Sequence, residues 1–220
     1  MNLKNFVTSH HKSTKRDYIS RMINDKINCM KVSKKYGKDY WDGDRKYGYG
    51  GYKYIPGLWT NVAKKIIQDY DLSNSSKLID LGCGKAFLLH EIKQLLPKIC
   101  LTGVDISSYG IKGATTETKP YLKKLDAREI LPFQNKQFDL LISIGMLHNF
   151  RLPELKLAIK EINRISKNSY VMVESYRNEK ELFNLQCWAL TAQSFLDEEE
   201  WKWLYKEYNY KGDFEFIYFE

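Results

Sequence analysis

The residues best suited to chemistry are acids and glycines at three places. The first is Asp80-Leu81-Gly82-Cys83-Gly84-Lys85-Ala86-Phe87, directly after an apolar run. Glycines there let the backbone turn tightly and approach a ligand with no side chain between. A nicotinamide fingerprint, G-x-G-x-x-G, needs glycine where Phe87 stands, and the G-x-x-x-x-G-K-[ST] phosphate loop is absent. The second place is Thr102-Gly103-Val104-Asp105-Ile106-Ser107. Asp105 lies about 20 residues past the glycines, where an acid accepts both ribose hydroxyls of a nucleoside. The third is Leu125-Asp126-Ala127, whose acid beside a small residue could accept the exocyclic amine of adenine. Three strand ends thus offer acceptors for adenosine and no phosphate cradle. An adenosine derivative that lacks phosphates and carries positive charge is S-adenosyl-L-methionine (SAM).

Alternating strands and helices must position these residues. Lys77 to Leu81, Ile99 to Val104, Tyr121 to Leu125, Phe138 to Ile144, Tyr170 to Val173 and Phe214 to Phe219 read as strands. The FDLLISI run at 138–144 is apolar throughout, as in a parallel sheet covered on both faces. Helical spacing predicts helices over 58–70, 86–96, 108–118, 155–165, 181–195 and 197–208. Trp201 and Trp203 are expected to anchor the last of these in the core. The pattern is α/β, a doubly wound, mostly parallel sheet of six or seven strands. The final strand follows two helices directly, so an antiparallel entry is open to it. Ahead of this domain (58–220) lie a basic helical arm, with helical spacing over 17–35, and a Tyr/Gly-rich lid at 39–57.

Composition narrows the partners. With 43% hydrophobic and 28% charged residues, the chain is neither disordered nor collagenous. No apolar run reaches the ~20 residues of a membrane span. The N-terminus lacks a signal-peptide core, and the four cysteines are scattered without a C-x-x-C pair, so a reducing cytoplasm and no metal site are expected. Of the net charge of +8, residues 1–46 carry 12 Lys/Arg against 5 Asp/Glu, and the rest 23 against 22. A basic arm suits nucleic acid, anionic lipid or an anionic small substrate; it equally suits a solvated helix face.

LIDLGCGKAF, GVDIS, LDARE and FDLLISIGMLHNF together resemble the motifs of class I SAM-dependent methyltransferases, over about residues 57–175. The resemblance implies a Rossmann-like fold. Asp80, Gly82, Cys83 and Gly84 would loop around the methionine part of SAM, with Asp105 and Ile106 at the ribose. Asp126 and Ala127 would flank adenine, and Ile144, Gly145 and His148 would lie near the methyl group. The family has glycine where this chain has Ala86; a helical conformation there would tolerate alanine. Tyr47-Gly48-Tyr49-Gly50-Gly51-Tyr52 and Val173–Glu179 are similar to a narrower bacterial group. That group is associated with capsule and surface-polysaccharide building blocks. It implies a small, anionic acceptor: a sugar, a nucleotide-linked or a phosphoramidate-type metabolite.

His148 is the expected general base for O-methylation, against an orienting role. Glu174 and Tyr176 could shape the acceptor pocket, against strand-end packing. Arg45, Lys46, Lys53 and Arg177 could hold an anion through charge-assisted hydrogen bonds, against plain solvation. Tyr49 and Tyr52 could close over the sulfonium, since aromatic faces attract cations. Two other functions compete. Nucleic-acid methylation is disfavoured, because neither an N/D-P-P-Y/F tetrapeptide nor a Pro-Cys pair occurs. A non-catalytic SAM-binding module is left open by Ala86.

Overall fold

A computed structural model describes residues 1–220. The first segment holds α1 (Thr8–Lys12), α2 (Tyr18–Ile23), α3 (Lys26–Ser33), α4 (Lys38–Asp42) and a 3-10 turn at Arg45–Tyr47. Then come α5 (Thr60–Asp69), β1 (Lys77–Leu81), α6 (Phe87–Leu95), β2 (Cys100–Asp105), α7 (Ser108–Lys112) and β3 (Leu122–Lys124). The chain ends with β4 (Phe138–Ile144), α8 (Leu152–Ile165), β5 (Ser166–Glu174), α9 (Glu179–Trp188), α10 (Glu198–Glu207) and β6 (Asp213–Ile217). No helix is long and apolar enough to cross a membrane.

The six strands form one sheet in the order β3-β2-β1-β4-β5-β6, and every neighbouring pair is parallel. The last strand is therefore parallel, not antiparallel. The crossover through α9 and α10 returns the chain to the starting edge of the sheet before β6 begins. The order reverses between β1 and β4, which opens a crevice at their carboxyl ends.

Strand periodicity sorts the core into two layers. Leu78, Leu101, Leu140 and Ile142 face α5 and α6, packing on Ala63, Ile66, Leu89 and Ile92. Ile79, Leu81, Leu141 and Val171 face the other way, onto Ile159 and Ile162 of α8 and Trp201 and Leu204 of α10. Trp203, two residues from Trp201, falls on the opposite side of α10 and is 63% exposed, so only one tryptophan anchors that helix.

Three helices are shorter than their spacing predicts. Asp25 adopts φ 48 and splits the 17–35 helix into α2 and α3; Asp is among the few residues that tolerate this region. The 108–118 stretch is helical only to Lys112. The 181–195 stretch stops at Trp188, where Ala189 turns extended at ψ 134, and Gln193 and Ser194 instead give their backbone N–H groups to the His148 carbonyl.

The arm is tied to the sheet. Buried Glu215 in β6 accepts hydrogen bonds from the backbone N–H of Phe6, Val7 and Thr8 and from the Tyr170 hydroxyl. Leu3 bridges Phe214, so the free edge of β6 is partly covered.

Candidate active site

The site grows from the turn after β1. Gly82 and Gly84 have φ of +82 and +57. A Cβ on Gly84 would lie 2.6 Å from the Trp41 ring, and one on Gly82 2.8 Å from Met146. Glycine is thus required by both backbone and space. Ala86 corrects an expectation: it is not helical but left-handed, at φ 56 and ψ 32, capping the start of α6. The position suits glycine, and alanine holds it under strain.

Asp105 closes the turn. Its Oδ2 accepts from the Gly84 N–H and its Oδ1 from the Ser107 N–H, both at 2.7 Å. Burial pushes its pKa up, while those two N–H groups hold it back. Asp80 is 5% exposed, and no protein donor reaches its carboxylate. Burial, then the charge of Asp105, pushes it up to about 8. Burial also raises Cys83 well above its ordinary value, which keeps it an inert thiol.

The N-terminal segment is seated on this loop. Trp41 donates to Ser107 Oγ at 2.9 Å and stacks on Tyr49, ring centroids 5.2 Å apart and planes 2° from parallel. Tyr49 continues to Tyr52, and Tyr52 to Phe87. Lys85, buried beside the glycines, donates to both Asp42 oxygens at 2.7 Å and to the Tyr52 carbonyl. Burial pushes Asp42 up, but the hydrogen bonds from Lys85 and Tyr109 outweigh it and hold the carboxyl below its ordinary value.

Two cavities meet at Gly82, Ile144, Gly145 and Tyr49, which line both. One, of about 350 Å³, is lined by Asp105, Ile106, Asp126 and Ala127. The other, of about 480 Å³, is lined by Asp80, Cys83, Gly84, Tyr52, His148, Glu174 and Arg45. The structure does not bring the remaining candidates there. Lys46 lies over the Tyr47 ring, and Lys53 is exposed. Arg177 pairs with Glu181 and Glu220, and Tyr176 packs in the small cluster around Leu185. Asp126 lines its cavity with its carboxylate already engaged: Arg128 donates to both oxygens, which lowers its pKa.

His148 has a geometry different from that of a free base. Its Nδ1 accepts the Glu174 backbone N–H at 3.2 Å. The neutral ring therefore carries its proton on Nε2, 3.5 Å from Glu174 Oε2. Burial lowers the His148 pKa, and Glu174 raises it less. Several lining residues were not legible in sequence: Arg16, Arg21, Trp41, Asn149 and Trp188. All but Asn149 lie outside the strand-end motifs: Arg21, Trp41 and Trp188 on helices and Arg16 in the link between α1 and α2, which only tertiary packing brings to the cleft. Asn149 falls inside FDLLISIGMLHNF, and its Oδ1 is buried without a partner.

Residues 72–212 match the methyltransferase-domain family, and the chain belongs to it. Among curated proteins it is similar to mouse mitochondrial arginine-hydroxylase NDUFAF5, 30% identical over 127 residues, 57% of this chain and 36% of that one. It is also similar to uncharacterized methyltransferase C70.08c of Schizosaccharomyces pombe, 30% identical over 135 residues, 58% and 48% of the two chains. The chain thus matches half or less of the length of these relatives. The fold resembles that of the MccD protein, with TM-score 0.52, 20% identity and 69% and 71% of the chains covered. It also resembles YcgJ from Bacillus subtilis, with TM-score 0.51, 15% identity and 66% of each covered. Its class is that of SAM-dependent class I methyltransferases, and SAM is the cofactor the site fits. Asp80 is a buried carboxylate with no donor, which a cation satisfies. A Cβ on either loop glycine would fill the turn.

Proposed function

We infer that this chain transfers the methyl group of SAM to a hydroxyl of a small anionic metabolite. When bound, SAM supplies a methyl group already activated on a sulfonium. The chain's residues then bind, orient and exclude water. In this reading Asp80 holds the ammonium end, Gly82 and Gly84 admit the methionine backbone, and Asp105 and Ile106 take the ribose. Ala127 packs on adenine; Asp126, neutralised by Arg128, contributes less than its motif implies. Ile144 and Gly145 wall the junction between the cavities, and Tyr49 and Tyr52 present aromatic faces to the sulfonium side.

One observation carries the reading: the Glu174 carboxylate lines the same cavity as the glycine turn, with the His148 Nε2–H facing it. Glu174 is the proton acceptor for the acceptor hydroxyl, and His148 is the positioning residue that aims it. Residues 1–57 serve as the lid over the domain at 58–220. With Arg16, Arg21 and Arg45 turned into the cavity, the arm supports a small anionic acceptor better than a nucleic acid. Surface-polysaccharide building blocks are the acceptor class we favour. Four free cysteines support work in a reducing compartment such as the cytoplasm.

The test is a mass-spectrometric screen of SAM with sugar nucleotides, phosphorylated metabolites and phosphoramidates. A methyl increment on one class, lost in Glu174→Gln, is expected. An oxygen increment on an arginine peptide, the reaction in the mouse relative's name, would contradict the assignment.

A further inference from the structure

Three arginines reach the larger cavity from the N-terminal segment. Arg16 precedes α2, Arg21 lies within it, and Arg45 opens the 3-10 turn. All three guanidiniums gather on one indole: the carbon centres of Arg21, Arg45 and Arg16 lie 4.3, 4.9 and 5.5 Å from the Trp188 ring centroid. None has a carboxylate within ion-pair distance, although other arginines of the chain, such as Arg128, Arg164 and Arg177, do. Their hydrogen bonds go to backbone carbonyls and to His11. The Nε–H groups of Arg16 and Arg21 are buried with no partner at all. Native proteins rarely leave buried donors or charges unmatched. Burial lowers all three arginine pKa values, and Arg45 helps to push Arg21 to about 10. The cavity's two carboxylates, Asp80 and Glu174, stand at the ends of β1 and β5 on the sheet side.

We propose that Arg16, Arg21 and Arg45 form the subsite for a phosphoryl group of the methyl acceptor. The proposal rests on the methyl-transfer reading and deepens it. A single carboxylate has two oxygens and one charge, too little for three guanidiniums. A phosphoryl dianion offers three terminal oxygens and nearly two charges, which the planar forks match. Trp188 gathers the three guanidiniums against one indole, and the N–H groups not already bonded to backbone carbonyls or His11 are left to the ligand. The cavity is then bipolar. Its arginine side holds the acceptor's anionic end, and its sheet side, with Asp80 and Glu174, faces the reacting end. The acceptor is a phosphate ester or diphosphate that carries the reacting hydroxyl.

The test is calorimetric titration of the full chain with inorganic pyrophosphate, and separately with SAM. Arg45→Gln is the primary variant because Arg45 is the most exposed of the three; Arg21→Lys keeps the charge but loses the fork. Pyrophosphate should bind wild type and weaken at least tenfold in Arg45→Gln and Arg21→Lys, with SAM affinity unchanged. Circular dichroism should show both variants folded. Should a variant unfold, protection of the arginines by pyrophosphate from phenylglyoxal in the wild type reads the same site. No pyrophosphate binding, binding untouched by both variants, or acetate binding as tightly would overturn the subsite. Failure of wild type to bind SAM while pyrophosphate binds would instead sink the methyl-transfer reading and leave the anion site standing.

Discussion

The Glu174 backbone N–H takes the only lone pair a neutral His148 ring has, which is why the proton-accepting role is proposed for the Glu174 carboxylate and not for the imidazole. Glu174→Gln should lower kcat by about 10²–10⁴, the usual worth of a general base, with SAM affinity within a factor of about two. His148→Ala should cost less. Steady-state kinetics with the acceptor decides this; an equal or larger loss at His148 would return the base to the imidazole. Asp80 makes a second claim. Its folded pKa, raised to about 8, lies above its unfolded value, so its contribution to stability is full at acid pH and declines as pH rises toward 8. A bound cation reverses that penalty. SAM affinity should therefore climb between about pH 6 and 7.5, with a limiting slope near tenfold per pH unit, and binding should release protons. Calorimetry in buffers of different ionisation enthalpy measures both, and a flat affinity would remove Asp80 from the cation site.

Two elements carry strain or burial that can be tested on stability alone. Ala86 caps α6 in the left-handed region, which costs an L residue about 1–2 kcal/mol. Glycine recovers that and loses about 0.4–1 kcal/mol to the unfolded chain, so Ala86→Gly should stabilise by roughly 0.5–1 kcal/mol. A Tm rise of ~1–3 °C is the readout. Helix α4 is held to the glycine turn by the Asp42–Lys85 pair, with Lys85 only 4% exposed. Asp42→Asn leaves that ammonium with the Tyr52 carbonyl and should cost about 2–3 kcal/mol in urea melts. Because the Asp42 pKa is depressed, the pair's contribution is present above the ordinary carboxylate range and lost as pH falls through the lowered value. Element types were legible where period and burial agree: β1 and β4 run over the residues their apolar patterns predict. Ends were legible less often. Asp25 at φ 48, and the hydrogen bonds of residues 193 and 194 to His148, are tertiary decisions that helical spacing does not encode. The parallel entry of β6 belongs to the same group. It follows from how α9 and α10 cross the sheet, not from the strand's own residues.

Across the whole molecule, the strand-end half of the cleft was readable and the half facing the N-terminal segment was not. The turn after β1, Asp105 and Asp126 sit at consecutive strand ends, and strand ends leave motifs in sequence. The opposite wall of the larger cavity is assembled from Arg16, Arg21, Arg45 and Trp188, separated by up to the length of the domain and joined only when the arm folds over the sheet. Of four basic residues picked out by charge, Arg45 alone lines the cavity; Lys46 and Lys53 face away, and Arg177 is consumed by Glu181 and Glu220. Charge counting could not separate an unpaired inward arginine from a paired outward one. Every other assignment depends on the proposed seat of SAM in the crevice between β1 and β4, gripped at the ribose by Asp105. Calorimetric titration of SAM into wild type and Asp105→Ala is the most direct test, with circular dichroism to verify folding. Saturable one-to-one binding to wild type and at least ~100-fold weaker binding to the folded variant are expected. Undiminished affinity in Asp105→Ala would contradict that seat.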